Sequence, residues 1–366
     1  MKSTIELRGV DKNFGEFTAV RDFNLFVDSG EVVCLLGPSG CGKTTTLRMI
    51  AGLETPSAGD VLFNDTPVTN LTPEQRNVAM VFQFYALYPA LTVGENLAFP
   101  LMVERLSRQD RDKRVADVAE ILQLSHILKR YPAEVAEGEK QRIAVARAII
   151  RQPSCFLFDE PLSRLDVELR ETMRAQIKEV LQGLSKPTVI VTHDQLEALT
   201  MADRITIMRD GAIEQIGTPH EVFAKPENAF VASFIGTPQM NLLDAGLSEC
   251  KDSTAQVQLG GEGNQELQLE VDQAVAGQPS GPIQIGVRPR AFSLASDAGP
   301  TAITVEAEII ESMGAETLVH ARTQAQTEIR VVVPRETRVN AGEILHLKPD
   351  PGQTHVFDGQ GQAVRT

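Results

Sequence analysis

Cysteine is scarce in this chain: there are four (Cys34, Cys41, Cys155 and Cys250), with no CxxC spacing among them. That pattern excludes a disulfide framework and suits free thiols in a reducing compartment. Long apolar runs are missing as well. Nothing approaches the roughly 18 residues of a membrane-spanning helix, and the first residues lack the basic, apolar and small-residue order of a signal peptide. A water-soluble protein is therefore expected. Basic residues are the minority, 35 against 49 acidic, for a formal net charge of −14. Such a balance disfavours binding to a phosphate backbone, so nucleic acid is not expected as a partner. No internal repeat is visible either. What the 366 residues do allow is two domains, each with a proper core.

Up to about residue 235, short apolar runs rich in β-branched residues alternate with stretches of helical period. The runs "EVVCLLG", "NVAMVFQ", "SCFLFDE" and "TVIVTHD" each end in a glycine or a polar residue. They read as buried strands of a largely parallel sheet covered by helices, a class whose ligands gather beyond the carboxyl ends of the strands. Between the second and third runs, at about 84–150, lies a more helical insert. In "RVADVAEILQL", Val115, Val118, Ala119 and Leu122 fall on one face of a helix. Composition changes beyond residue 236. Alternating strands such as "TAITVEAEI" and "EIRVVVP" suggest an all-β domain over 236–366. With nine basic against seventeen acidic residues, that domain is no candidate for an oligonucleotide-binding barrel.

The stretch "GPSGCGKTT" (Gly37, Pro38, Ser39, Gly40, Cys41, Gly42, Lys43, Thr44, Thr45) follows a strand and opens a helix. Strand, glycine turn and helix are the context that a phosphate-binding loop requires. Glycines let backbone N–H groups close on phosphate oxygens, and the helix N-terminus adds positive potential. Lys43 is expected to reach the β- and γ-phosphates of ATP, and Thr44 to hold Mg2+. The run "CFLFDE" supplies the second half of such a site. Asp159 is placed to serve as the Mg2+ carboxylate, and Glu160 to orient or deprotonate an attacking water.

With these two motifs placed, the chain resembles the ATP-binding subunits of ABC transporters, in particular the subfamily that serves maltose, other sugars and polyols. The likeness extends over "VFQFYALYPALTV", "RYPAE", "RIAVARAII", "FLFDEPLSRLD", "VTHDQLEALTMADRI", "GTPHEVFAKPENAFVASFIGTPQMN" and "IGVRPR". It implies an α/β P-loop ATPase domain over 1–235 with a helical subdomain at about 84–150. An OB-like (TOBE) regulatory domain is implied over 236–366. By the same resemblance, Phe14 stacks on adenine in a place where the family more often has tyrosine. Gln83 becomes the Q-loop residue that touches Mg2+ and the water, His193 the switch histidine at the γ-phosphate, and Asp166 the D-loop aspartate. Arg164 stands where the family usually has asparagine or alanine. The implied partners are transmembrane permease subunits, docked through coupling helices near "FYALYPALTV", and an extracellular or periplasmic solute-binding protein. The implied location is peripheral, on the cytoplasmic face of the inner membrane. The solute is expected to be a sugar, a polyol such as glycerol or a related small molecule, with polyamine or ferric ion as alternatives.

The chain departs from the family most strongly at one motif. Where the family reads "LSGGQ", this sequence has Val135, Ala136, Glu137, Gly138 and Glu139. Ala136 lacks the hydroxyl that caps the helix and donates to phosphate, and Glu137 adds a side chain and a negative charge in place of a glycine. The reading favoured on this basis is an asymmetric dimer, in which a second, non-identical ATPase subunit supplies an intact signature. A homodimer with two weakened sites and a non-hydrolysing regulatory subunit are the alternatives.

Overall fold

The computed structural model describes residues 3–104, 106–251, 254–260, 265–271, 274–275 and 280–365. It divides into two units, Met1–Pro219 and His220–Thr366.

In the first unit a six-stranded sheet runs in the order Ala212–Gly217, Arg204–Arg209, Val32–Leu36, Thr188–Thr192, Cys155–Asp159, Val78–Val81. All neighbours after the first pair are parallel. The strands "VVCLL" and "TVIVT" are buried along their whole length, which is why they read as continuous apolar runs rather than alternating ones. A second, antiparallel sheet is built from Phe17–Val27, Ile5–Phe14, Ala58–Phe63 and Thr66–Pro67. Its Phe23, Leu25 and Val61 share one core with Val33, Leu35 and Val189 of the parallel sheet.

The insert is helical among the described residues, with Val93–Ala98, Arg108–Ile121 and Glu137–Ile149 as its α-helices. Thr92 and Glu95 cap the first reciprocally, a sequence-local device that satisfies two orphan N–H groups. On Arg108–Ile121 the buried residues are Val115, Val118 and Ala119, and Leu122 follows buried at the cap, as the periodicity predicts.

The second unit is built of antiparallel strands. Its described residues form two five-stranded sheets around one core, in which Leu243 and Ile285 of one sheet share the interior with Val305 and Val331 of the other. Asn241 ties the sheets together: its amide donates to Val287 O and Arg330 O, and its Oδ1 accepts from Arg330 N.

This unit begins earlier than the sequence reading places it. Residues 220–235 belong with the β lobe, whereas composition put the boundary at 235/236. The physical reason is packing. Ala229 and Ala232 sit in one cluster with Met240 and Phe357. Arg288 is buried and donates to Ile235 O at 2.7 Å and to Phe223 O at 2.6 Å while stacking on the Phe223 ring. Burial pulls the Arg288 guanidinium down to about 10. Arg288→Ala removes both bonds and strands two carbonyls. It should destabilise the second unit by about 2–4 kcal/mol, measured by urea unfolding of the full chain.

Candidate active site

Parallel pairing brings four strand ends into line. Leu36 pairs with Thr192, Val191 with Asp159, and Phe158 with Val81. The residues that follow are Gly37–Gly42, His193, Glu160 and Phe82–Gln83. Lys43, Gln83, Asp159, Glu160 and His193, scattered over more than a hundred positions, therefore meet at one carboxyl edge, whereas Phe14, Asp166 and residues 136–139 lie on other elements.

Glycine is dictated by sterics in the loop Gly37–Gly42. A Cβ on Gly37 would stand 2.3 Å from Met208 O and 2.7 Å from Cys41 Sγ. Gly42, at φ 99°, would bring one to 2.4 Å from Ala19 O. Gly40, at φ 83°, faces open space. The helix Lys43–Ala51 begins directly after, and Gly52 closes it in the left-handed region. Lys43 folds back and donates from Nζ to Gly37 O at 2.7 Å and Pro38 O at 2.8 Å.

Next to this loop, Thr44 Oγ1 donates to Asp159 Oδ1 at 3.2 Å. Burial pushes the Asp159 carboxyl above its ordinary range, and the neighbouring Glu160 adds to the rise; the Thr44 bond works the other way. Glu160 is held on every side. Its N–H donates to Val191 O, Gln83 Nε2 donates to its Oε2 at 2.9 Å, and His193 Nδ1 lies 3.2 Å from its Oε1. Its φ of 48° is a left-handed value that costs a non-glycine residue about 1–3 kcal/mol and marks a site held by its surroundings. Behind His193, Asp194 caps the next helix and pairs with Arg170 at 3.0 Å. Burial opposes its ionisation, yet the Arg170 bond and two backbone N–H groups hold it below its usual range.

A cavity of about 630 Å³ lies in front of these groups, lined by Phe14, Phe17, Ala19, Ser39, Gly40, Gly42, Lys43, Thr44, Thr45, Glu160 and His193. The rings of Phe14 and Phe17 are exposed, and Lys12 Nζ sits 4.8 Å from the Phe14 centroid. Phe17 and Ala19 escaped the sequence reading, because neither belongs to a motif. Ser163 was missed too, although it lies inside "EPLSRLD"; it takes a 3.4 Å contact from Gln83 Nε2 and donates to Glu160 O at 3.1 Å.

The cradle fits a polyphosphate. Its Gly37 and Gly42 admit no Cβ, its N–H groups open a helix, and one lysine lies at its centre. For Mg2+, no cluster of three or more His, Cys, Asp or Glu that could hold a metal occurs among the described residues. Thr44 and Asp159 fit an ion that keeps most of its shell as water and phosphate oxygen.

The stretch 135–139 lies away from this cavity's lining. Ala136 is the N-cap of the helix Glu137–Ile149 and offers no side-chain oxygen, so only half of a capping box survives: Glu139 Oε2 accepts from Ala136 N at 2.8 Å. Glu137 pairs with Lys140 at 3.0 Å. A Cβ on Gly138 would stand 2.7 Å from Leu169 Cδ2, so a side chain there would have to displace the tip of Leu169. Leu169 lies on the helix Val167–Leu184, which Asp166 caps by accepting from Leu169 N.

Two family profiles match the chain: ABC transporter over residues 20–163, and TOBE domain over 285–357. The trehalose/maltose import ATP-binding protein MalK of Thermococcus litoralis is 44% identical over 369 residues, covering 97% of each chain. The sn-glycerol-3-phosphate import ATP-binding protein UgpC of Salmonella typhi is 42% identical over 98% of this chain and 99% of its own. Among solved structures, a dimeric, post-hydrolysis state of the ATP-binding cassette MJ0796 with ADP and Pi is 30% identical. It superposes with a TM-score of 0.52 over 59% of this chain and 98% of that one.

The raised Asp159 carboxyl generates a prediction about stability. A carboxyl whose pKa is higher folded than unfolded favours the folded state when protonated, and that contribution is lost as pH rises through the folded value. At neutral pH, Asp159→Asn should therefore raise the melting temperature of the nucleotide-free chain while abolishing Mg2+-dependent ATP turnover. Calorimetry and a phosphate-release assay on one preparation test both halves.

Proposed function

The chain belongs to the ATP-binding proteins of ABC transporters, and from that membership we propose that it energises an importer for a sugar, a polyol such as glycerol or a related small solute. The observation that carries this reading is full-length likeness to import ATP-binding proteins, combined with the convergence of Lys43, Asp159, Glu160, Gln83 and His193 at one sheet edge.

In this reading Phe14 stacks on the adenine. The backbone of Gly37–Thr45, including Pro38, Ser39, Cys41 and Thr45, wraps the phosphates. Lys43 exchanges its bonds to Gly37 O and Pro38 O for the β- and γ-phosphate oxygens. Thr44, Asp159 and Gln83 are the groups that would hold Mg2+, which when bound neutralises phosphate charge. Glu160, pinned by Gln83 and His193, accepts a hydrogen bond from the attacking water and aligns it. His193 turns from Glu160 toward the γ-phosphate, so the three side chains exchange bonds with each other for bonds to the reactants.

Permease subunits would dock on the surface that follows Gln83. Phe84, Tyr88, Phe99, Met102 and Val103 are exposed there around a cavity of about 320 Å³ lined by Tyr85, Tyr88, Phe99 and Arg147. Such an apolar patch suits a short amphipathic helix. The protein then sits peripherally on the cytoplasmic face of the inner membrane; no helix among the described residues is long and apolar enough to cross. A solute-binding protein completes the system.

The expected second, non-identical ATPase subunit finds no support among the relatives, and two observations favour a homodimer. The similar cassette MJ0796 is described as dimeric. The helix Glu137–Ile149 also keeps its start and its packing despite Ala136 and Glu137, with Lys140 drawing the Glu137 carboxylate back along the helix. An exposed pair of this kind contributes about 0–1 kcal/mol, so the charge is moderated rather than cancelled.

Two tests follow. Lys43→Ala should weaken ATP binding, whereas Glu160→Gln should preserve binding and stop hydrolysis, measured by nucleotide titration and phosphate release; normal turnover with Glu160→Gln would refute the assignment. Joint replacement Ala136→Ser and Glu137→Gly should raise the purified chain's turnover by about tenfold, as expected if roughly 1.4 kcal/mol of transition-state stabilisation returns. A turnover that stays near zero until an unlike ATPase subunit is added would restore the asymmetric arrangement.

A further inference from the structure

Three consecutive contacts stitch the loop after Val78–Val81 to the loop after Cys155–Asp159. Gln83 Nε2 donates to Glu160 Oε2, the same nitrogen approaches Ser163 Oγ at 3.4 Å, and the Arg164 guanidinium lies 4.1 Å from the centroid of the Phe84 ring. The first two belong to the catalytic machinery described above. The third joins Arg164, the residue that departs from the family pattern in its loop, to Phe84, a residue 66% exposed.

We propose that Arg164 is a positioning residue for ATP hydrolysis, acting through its stack on Phe84 to hold Gln83 against Glu160. The inference rests on the reading of the chain as a hydrolysing ATPase. Phe84 follows Gln83 directly, so whatever fixes the Phe84 ring limits the swing of the Gln83 amide. The loop needs such a brace. Tyr85 and Ala86 both have positive φ (31° and 49°), a conformation uncommon for non-glycine residues and costly for one as bulky as tyrosine. On the far side, Arg147 Nη1 donates to Ala86 O at 2.6 Å and lies over the Tyr88 ring at 5.1 Å, so one arginine grips the loop at each end. Arg147 belongs to the helix Glu137–Ile149, and Arg164 to the loop that carries Glu160 and Ser163. The Arg164 grip is thus the one aimed at the reacting groups. Arg164 is held on the ring by the attraction of a cation for the π face, and guanidinium planarity makes arginine better suited to it than lysine. The buried Tyr85 beside it is pushed up to about 12, chiefly by burial and by Glu137, with Arg164 opposing.

The test is a double-mutant cycle on the full-length chain, with kcat, KM and nucleotide affinity measured for each protein. Arg164→Ala and Phe84→Leu should each lower kcat by about three- to tenfold with KM and ATP affinity within twofold, and the double variant should be no slower than either single one. Phe84→Tyr, which keeps the π face, should restore most of the rate, and Arg164→Lys only part of it. Unchanged kcat in Arg164→Ala, independent factors that multiply in the double variant, or a loss confined to ATP affinity would each overturn the proposal. The unmodified chain separates the two levels of the argument. If it does not hydrolyse ATP, the functional reading fails; if it does and the cycle shows no coupling, only the role of Arg164 falls.

Discussion

Parallel pairing of Val32–Leu36 with Thr188–Thr192, and of the latter with Cys155–Asp159, is the constraint on which the rest of the molecule depends. Because parallel strands end on the same side, the chain leaves the sheet at neighbouring points. Each exit delivers one chemical group: lysine on a helix N-terminus, histidine, then a pair of carboxylates. The pairing also sets the tightness of the phosphate loop. Gly37 is pressed against Met208 O of the adjacent strand, so the loop's path is decided by the sheet as much as by its own glycines.

The same edge carries the fold's local costs. Asp159 is buried next to a second carboxylate, Glu160 stands in a left-handed conformation, and Lys43 spends its charge on two carbonyl oxygens. The buried Asp159 carboxylate and the left-handed Glu160 are unfavourable by themselves and persist because fully buried strands hold the backbone, whereas the two Lys43 bonds satisfy its charge. On the proposed reading, a triphosphate and a divalent cation would give the lysine an anion and the Asp159 carboxyl a counter-charge. A nucleotide cradle of this kind is therefore expected to be more stable full than empty.

The altered signature separates backbone requirements from side-chain chemistry. Gly138, packed beside Leu169, is kept, and the helix still starts at the expected residue because Glu139 supplies the surviving half of its cap. What has changed is charge and donor capacity, at Ala136 and Glu137. A charge of the opposite sign, Lys140, lies 3.0 Å from the Glu137 carboxylate. Substitutions that spare packing while shifting electrostatics tune a site without disturbing the helix that presents it.

Local chemistry made much of this legible before any coordinates. Buried parallel strands are continuous apolar runs, a phosphate loop needs glycines at fixed offsets, and an amphipathic helix repeats every three to four residues. The four sheet strands, the Arg108–Ile121 helix, the phosphate loop and the all-β lobe could accordingly be read from the sequence. Its motifs named Lys43, Asp159 and Glu160, and family resemblance added Gln83, His193 and Asp166. Contacts between residues distant in sequence were not legible, since no local period encodes them. The boundary moved from 235 to 219 because Arg288 reaches back to Phe223 and Ile235. Ser163 and Phe17 joined the site through geometry alone. Arg164 looked like an oddity of composition until the fold laid it on Phe84. The sequence by itself determined which chemical groups the protein possesses and the elements that bear them; only tertiary structure decided which of them touch, because strand order and loop path are settled by burial of the whole core.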